Sequence, residues 1–306
     1  MPALSHPEYL NPRVSETRTM VTVGPETLER FPRFSLYNSP YAAHDEGCAI
    51  DLYPHEGDWR ETGDDHETRE TAAPSPVAGE VVTTRTVSAP PKDYAVEHDH
   101  LVVIETGEYL ARILHVEPTV EPGDEVAVGD SLGEMVRSGF FAPWVDNHIH
   151  LGFRSLDANP YRASGSLPVE IAPEVELAGV AWDGRGTVVA AGDTFAVLDA
   201  PDHPAPGERF AGISAESGGI LDGGLPHYDG GGILRGTGGD GPVSLAGRQV
   251  GTAEGRTIAW DDVTVLANGT PITGLSLFVA REALGAKLVC PDTEFEVGET
   301  VDVEVR

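Results

Sequence analysis

Cysteine is scarce in this chain of 306 residues, which contains only Cys48 and Cys290. Two cysteines so far apart do not form a disulfide scaffold, and we expect two thiols that are not joined to each other. Long apolar runs are also missing, since no stretch of about 18 apolar residues occurs. The N-terminus has no apolar signal segment. These absences predict a soluble protein of the cytoplasm.

Basic residues are also scarce in this chain. The chain has 20 Lys and Arg against 50 Asp and Glu, a net charge of −30, and its only lysines are Lys92 and Lys287. The acidic residues are spread along the chain, as in a solvated surface kept apart by self-repulsion. Such a surface resembles proteins of salt-loving organisms, in which salt screens the repulsion. Nucleic acids and anionic membranes bind basic patches, so we expect neither as a partner.

Segments with helical periodicity are few as well. Short Val- and Thr-rich runs alternate with turns, in a chain with 36 Gly and 24 Pro. This pattern predicts a mainly β protein. We expect an N-terminal leader (1–40) with one short helix, a domain with the functional motifs (41–162) and a second β-rich domain (163–306). The Gly-rich stretch 218–241 is expected to be a loop or a series of tight turns.

Two histidines in "DNHIHLGF" (146–153) are the first candidates for metal chemistry. In a β-strand, residues i and i+2 point to the same face, so His148 and His150 would project together. Alone, such a pair is more often incidental. Upstream, "CAIDLY" places Asp51 in a short strand of alternating apolar residues. A carboxylate in such a strand needs solvent or a partner.

Further histidines stand near Asp51 and at the end of another apolar strand. His44 precedes Asp51 by seven positions, an odd number that would put the two on opposite faces of one strand. Gly47 lies between them and could supply a turn or bulge that brings them together. His55, four residues after Asp51, is the alternative. His115 ends the strand "YLARILHV", where a core histidine is the commoner case.

Five pieces, in this order, carry a resemblance. They are His44 with Asp51, "PVAGEV" (76–81), "ARILHV" (111–116), "VEPGDEVAVGDSLG" (120–133) and "HIHLGF" (148–153). Over about residues 41–157 the chain resembles the LytM/lysostaphin-type zinc metallopeptidases, which have the duplicated hybrid motif fold. The resemblance implies a LytM-like β-domain that binds Zn²⁺ through His44, Asp51 and His150.

The same resemblance implies a chemistry. His115 and His148 would be the catalytic pair that orients and deprotonates a metal-activated water, which then cleaves a peptide or amide bond. Two departures stand out. The family's first histidine lies four residues before the aspartate, so a three-residue insertion is needed here. The segment before the HxH pair is "RSGFFAPWVDN", whose aromatic residues either line the substrate groove or cover the core.

Two other functions are compatible with the pattern. The glucose-permease IIA domain of the sugar phosphotransferase system also uses two facing histidines, which would be His100 and His115 here, but it gives Asp51 no role. The larger alternative is a non-catalytic zinc-binding or interaction protein that retains the LytM-like fold. Family enzymes mostly cut peptidoglycan cross-links outside the cell, and this chain shows no export signal. The expected substrate is therefore a peptide or amide of open identity.

Overall fold

The protein was analysed as a computed structural model that describes residues 19–55, 57–61, 69–236 and 239–306. Its regular structure consists mostly of strands, which confirms the prediction of a mainly β fold with β-rich N- and C-terminal parts. In the described ranges no helix has the length and apolar character needed to cross a membrane.

The N-terminal part contains twelve strands and three short helical segments among its described residues. The strands are β1 (Val21–Val23), β2 (Arg33–Ser35), β3 (Ala49–Tyr53), β4 (Ala72–Pro74), β5 (Gly79–Ser88), β6 (His98–Glu105), β7 (Tyr109–Leu114), β8 (Val116–Pro118), β9 (Glu125–Val126), β10 (Ser131–Met135), β11 (Ile149–Ser155) and β12 (Val169–Ile171). The helices are α1 (Pro25–Leu28), α2 (Ala42–Asp45) and a 3₁₀ turn (Trp59–Glu61).

The regular elements described in the C-terminal part are all strands. They are β13 (Leu177–Val180), β14 (Arg185–Ala191), β15 (Phe195–Leu198), β16 (Phe210–Ile213), β17 (Ile220–Leu225), β18 (Gly230–Leu234), β19 (Gly241–Leu245), β20 (Arg248–Glu254), β21 (Thr257–Trp260), β22 (Val265–Ala267), β23 (Thr270–Ile272), β24 (Gly274–Leu277), β25 (Val279–Ala280), β26 (Lys287–Val289) and β27 (Thr300–Val305).

Two large sheets organise the described residues. One has the order β13-β16-β25-β2-β3-β11-β7-β6-β5-β9, and the other β19-β20-β21-β18-β17-β24-β26-β15-β14-β27-β22-β23. The first sheet joins both parts of the chain, because β2 pairs with β25 from the C-terminal part. Smaller sheets are β4-β10-β8 and β1-β12. The two parts are therefore joined by backbone hydrogen bonds as well as by side-chain packing.

The apolar faces of the strands form the cores. In the N-terminal part, Ile50 and Leu52 of β3 pack with Ile149 and Leu151 of β11, and all four are fully buried. Strand periodicity then directs the intervening residues of both strands to the opposite face. Burial of these apolar side chains fixes the register and thereby the position of the polar residues between them.

The segment expected to be an irregular leader is partly ordered structure. Residues 1–18 lie outside the described residues, whereas β1, α1 and β2 occupy positions 21–35. The predicted short helix is present as Pro25–Leu28, with a proline at its first turn. Leu28 and Phe31 are fully buried. This segment is thus part of the core.

The prediction of a loop or tight turns over residues 218–241 was wrong. Strands β17 and β18 run through this stretch and pair with each other. Its glycines make room for rings: a Cβ at Gly232 would lie 2.2 Å from the Tyr37 ring, and one at Gly231 would lie 2.2 Å from the Trp260 ring. Close approach of an aromatic ring is a reason for glycine inside a strand that composition alone does not reveal.

Candidate metal centre

Strands β3 and β11 bring Asp51 and His150 together. They are direct partners in the antiparallel ladder, while their neighbours Leu52 and Ile149 pair on the buried face. Directly opposed residues have Cβ atoms about 5 Å apart, within reach of a shared ligand. The Nδ1 of His150 lies 3.0 Å from the Oδ1 of Asp51. The register of the sheet thus places the two side chains that the sequence singled out.

His44 lies on the short helix α2 and not on strand β3. Gly47, with φ of +60°, reverses the chain after the helix, and its N–H donates to the His44 carbonyl at 2.9 Å. A left-handed backbone of this kind favours glycine. The helical turn takes up the additional residues between His44 and Asp51. His44 and Asp51 can therefore face the same point, although their odd spacing would have placed them on opposite faces of a single strand.

Three side-chain atoms converge at this point. The Nε2 of His44 lies 3.1 Å from the Nδ1 of His150 and 3.3 Å from the Oδ1 of Asp51. With the 3.0 Å between His150 and Asp51, they form a nearly equilateral triangle. Zinc–nitrogen bonds of about 2.0–2.1 Å at tetrahedral angles require donor atoms about 3.3 Å apart. The triangle therefore has the size of one face of a metal coordination sphere, and this group could hold a metal ion.

The protonation of Asp51 and His150 suits metal binding, whereas burial lowers the pKa of His44 but the Asp51 carboxylate outweighs burial and raises it, so a metal competes with a proton at His44. Burial opposes ionisation of Asp51, but the surrounding imidazoles, above all His44, outweigh it and hold the pKa of the carboxyl well below its usual range. Burial lowers the pKa of His150 to about 4, so its ring is neutral near pH 7. Metals bind carboxylates and neutral imidazoles. The Nδ1–H of His44 donates to the Leu36 carbonyl at 2.7 Å, which directs its Nε2 at the site.

His148 lies beside the triangle and outside it. Its Nδ1–H donates to the Asp146 carbonyl at 2.9 Å, and its Nε2 lies 3.6 Å from the Oδ2 of Asp51. Burial lowers the pKa of His148 to about 4. The Asp146 carboxylate is in turn held by Arg33 at 2.5 Å and by Lys287 at 3.2 Å. The ring of His148 therefore has a fixed tautomer, with its Nε2 free of a proton.

His115 completes the cluster of histidines. Its ring centroid is 5.0 Å from that of His148 and 5.9 Å from that of His150. Its backbone has φ of +71°, which is uncommon for a residue other than glycine. The backbone N–H donates to the Oδ1 of Asp99 at 2.9 Å, and the ring Nδ1–H donates to Oδ2 at 2.5 Å. One carboxylate thus fixes both the backbone and the ring.

Asp99 is the member of this cluster that the sequence interpretation missed. It is fully buried on β6, where it also accepts a hydrogen bond from the Ser138 hydroxyl at 2.5 Å. Burial would raise its pKa, but His115 and the hydrogen bonds outweigh burial and lower the pKa to about 2. The signal was present in "EHDHLVVIE": a carboxylate on the apolar alternation of a strand, as for Asp51.

The Asp99–His115 pair predicts a pH dependence of stability. Because the pKa of Asp99 is lower in the folded than in the unfolded chain, the pair stabilises the fold fully above about pH 4 and loses this contribution as the pH falls towards 2. The contribution is roughly 2 kcal/mol. In Asp99→Asn, urea unfolding of the metal-free protein should show a flatter free-energy curve between pH 4 and 2. Ser138→Ala removes one of the hydrogen bonds that lower the pKa of Asp99 but keeps the titrating group and His115, so it should flatten the curve less than Asp99→Asn does. An unchanged slope in Asp99→Asn would refute the pairing.

Aromatic rings line one side of the cluster of histidines. The Phe141 centroid lies 4.7 Å from that of His148 and 5.1 Å from that of His115, and Phe141 is buried. Phe140 contacts Tyr41, whose ring is partly exposed. Phe140 and Phe141 therefore lie against the histidines of the site. Trp144 packs on His227 of the C-terminal part, with centroids 5.6 Å apart.

The two alternative histidines lie elsewhere. His55 lies in a small cleft with Tyr53 and Trp59, outside the three-residue group. His100 of β6 pairs with Thr86 of β5, and strand alternation directs His100 to the face opposite Asp99, which binds His115. The facing pair of His100 and His115 that a phosphotransfer domain would need therefore has no support in this geometry.

Comparisons with known proteins identify both halves of the chain. Residues 22–171 match the N-terminal domain, and residues 178–306 the C-terminal domain, of a family described as a domain of unknown function, DUF8155. No curated protein and no solved structure matches the chain. The two matches follow each other in chain order and leave only a short connection between them.

Proposed function

Because the chain carries both domains of the DUF8155 family and so belongs to it, we propose one function for the two-domain protein: zinc-dependent hydrolysis of a peptide or amide bond. The observation that carries the proposal is the convergence of three ligand atoms beside two further oriented histidines. Zinc held by three nitrogen or oxygen ligands keeps a fourth position for water or substrate. Such an open site distinguishes hydrolytic zinc centres from closed structural ones.

Zinc is the metal favoured by the donor set together with the LytM-like motifs. Imidazole suits zinc, and the distances of 3.0, 3.1 and 3.3 Å between the donor atoms approach the tetrahedral value. Two histidines with one carboxylate also suit iron(II) in oxygenases. The neighbouring proton-accepting histidines support hydrolysis instead, since hydrolysis needs a base near the metal.

The residues around the metal site have different roles in the proposed reaction. Zinc, when bound, polarises the scissile carbonyl and lowers the pKa of a coordinated water. His115 is the residue that takes the proton at its Nε2, because the Asp99 carboxylate on its Nδ1 fixes the orientation and tautomer of the ring. His148 donates its Nδ1–H to a backbone carbonyl and burial keeps its ring neutral, so its Nε2 is placed to accept a hydrogen bond from the attacking water and orient it. Phe141 packs against both rings and keeps solvent from them.

One observation favours a second candidate, a non-catalytic metal-binding protein. The site is closely packed: His44 is fully buried, and Asp51 and His148 each expose 2% of their surface. His150 is the most accessible member, with 14% of its side chain exposed. A substrate of this site must therefore be small or must insert a narrow segment, whereas a structural metal would need no access.

Turnover by the zinc-loaded protein tests the proposal. We expect chelator-treated protein to be inactive and zinc to restore hydrolysis of at least one member of a panel of casein, dipeptides and N-acyl amino acids. The assay is run at high salt, which screens the net charge of −30. Asp51→Ala, given the same zinc, is the control for free metal. Stoichiometric zinc without turnover across the panel would overturn hydrolysis in favour of the non-catalytic candidate.

A further inference from the structure

A stripe of polar residues crosses one face of the C-terminal sheet and meets the N-terminal domain. Asp222 lies on β17, two residues from Gly224, which pairs with Ser276 of β24. Ser276 in turn pairs with Lys287 of β26. Residues two apart on a strand share a face, so Asp222, Ser276 and Lys287 point the same way. All three are buried, although polar side chains in such positions are costly unless they are bonded.

Each residue of the stripe bonds to the N-terminal domain. Lys287 binds the carboxylate of Asp146 at 3.2 Å. The Ser276 hydroxyl accepts from the Asn38 side-chain amide at 2.7 Å. Asp222 accepts from the backbone N–H of Leu36 at 2.6 Å and from the Ser35 hydroxyl. The C-terminal domain thus holds the segment that follows β2 at several atoms.

The segment held by Asp222 is also the one that orients His44. The Leu36 carbonyl accepts the Nδ1–H of His44 at 2.7 Å. Burial raises the pKa of Asp222 to about 7, although the hydrogen bonds from the Ser35 hydroxyl and the Leu36 N–H favour its carboxylate form. Hydrogen bonds therefore form one chain from the Asp222 side chain, through the N–H and carbonyl of Leu36, to the ring of His44. Hydrogen bonds in such a chain polarise and align one another.

We propose that Asp222 of the C-terminal domain is a positioning residue of the metal centre, which acts through the Leu36 backbone to fix the ring and tautomer of His44. This inference rests on the proposed function in one respect, that His44 is a metal ligand. It gives the C-terminal domain a part in the site that the LytM-like motifs of the N-terminal domain do not contain. Groups that orient a ligating histidine are typically worth 10–100-fold in metal affinity.

Cobalt(II) binding to the full chain tests this role, because the visible absorption of cobalt reports both affinity and ligand geometry. In Asp222→Ala we expect the dissociation constant for Co²⁺ to rise by about 10–100-fold and the spectrum to change. Asp222→Asn keeps the shape and one acceptor oxygen for the Leu36 N–H, so it should recover part of the affinity. If Asp222→Ala does not fold, the changed spectrum of Asp222→Asn carries the test.

Ser276→Ala is the matched control. It removes a buried hydrogen bond between the same two domains, but Asn38 does not contact His44 in the way that Leu36 does. We expect wild-type affinity within about twofold and an unchanged spectrum, whatever the loss in thermal stability. Wild-type affinity and spectrum in both Asp222 variants would overturn the inference while leaving the proposed function intact. A wild-type protein that takes up no Co²⁺ would overturn the proposed function and this inference together.

Discussion

Alanine in place of either Asp51 or His150 is expected to abolish stoichiometric metal binding. Each variant leaves two of the three converging ligand atoms, and Asp51→Ala also removes the only anionic one. The loss of affinity should exceed the roughly 10–100-fold that outer groups contribute. Metal content after gel filtration, measured by mass spectrometry, and competition with a chromophoric chelator give the two readouts.

The same measurement identifies the metal. If the wild type contains iron and not zinc, the proposed reaction would change from hydrolysis to oxygenation.

His55→Ala is the control for these variants. His55 was the sequence's alternative to His44, and it lies near Tyr53 and Trp59, outside the converging group. We expect this variant to retain one metal ion per chain, with unchanged affinity. Stoichiometric metal that survives both Asp51→Ala and His150→Ala would refute the site. Loss of metal in His55→Ala would show that the histidine four residues after Asp51 is the ligand instead.

The local alternation of the strands was enough to predict part of the site. Asp51 and His150 lie on alternating apolar strands, and such strands present every second residue to one face. Their pairing across β3 and β11 follows from the burial of Ile50 and Leu151, which leaves a single register. The sequence also indicated that the spacing of His44 needed an irregularity near Gly47. It did not indicate that the irregularity would be a helical turn.

The remaining parts depend on contacts between distant segments. Asp99 carries the same local signal as Asp51, but its partnership with His115 requires the ladder between β6 and β7, which ends beside them. Asp222 stands in a Gly-rich stretch whose strand character depends on rings from elsewhere, such as Tyr37 above Gly232. Tertiary packing of this kind overrides local propensity, so no local pattern could have connected Asp222 with His44.

The histidines of the site differ in the groups that hold them in place. This difference predicts which histidine variants lose metal affinity and which lose catalytic activity. His44 and His150 each direct a ring nitrogen at the converging point, whereas His115 lies beyond it and is bonded to a carboxylate. A ligand's removal should therefore reduce metal affinity first. Removal of His115 should leave the metal and act on the proton transfer.

His115→Ala is expected to retain zinc and to lose most of the hydrolytic activity. A positioned general base typically contributes 10²–10⁴-fold, so kcat should fall by about that factor while KM changes little. Asp99→Asn keeps the imidazole and removes the carboxylate that stabilises the imidazolium, so its kcat should fall less than in His115→Ala. Initial rates at saturating zinc, with metal content measured on the same samples, separate the two effects.

His100→Ala is the matched control for this series, because His100 lies on β6 next to Asp99 but faces the other side of the sheet. Its kcat should equal that of the wild type. A phosphotransfer domain would give the opposite pattern, with His100 and His115 both essential and zinc dispensable. If His115→Ala hydrolyses the substrate within about threefold of the wild type, His115 is not the base. His148, with its unprotonated Nε2 3.6 Å from Asp51, would then be the histidine to which the proton transfer is assigned.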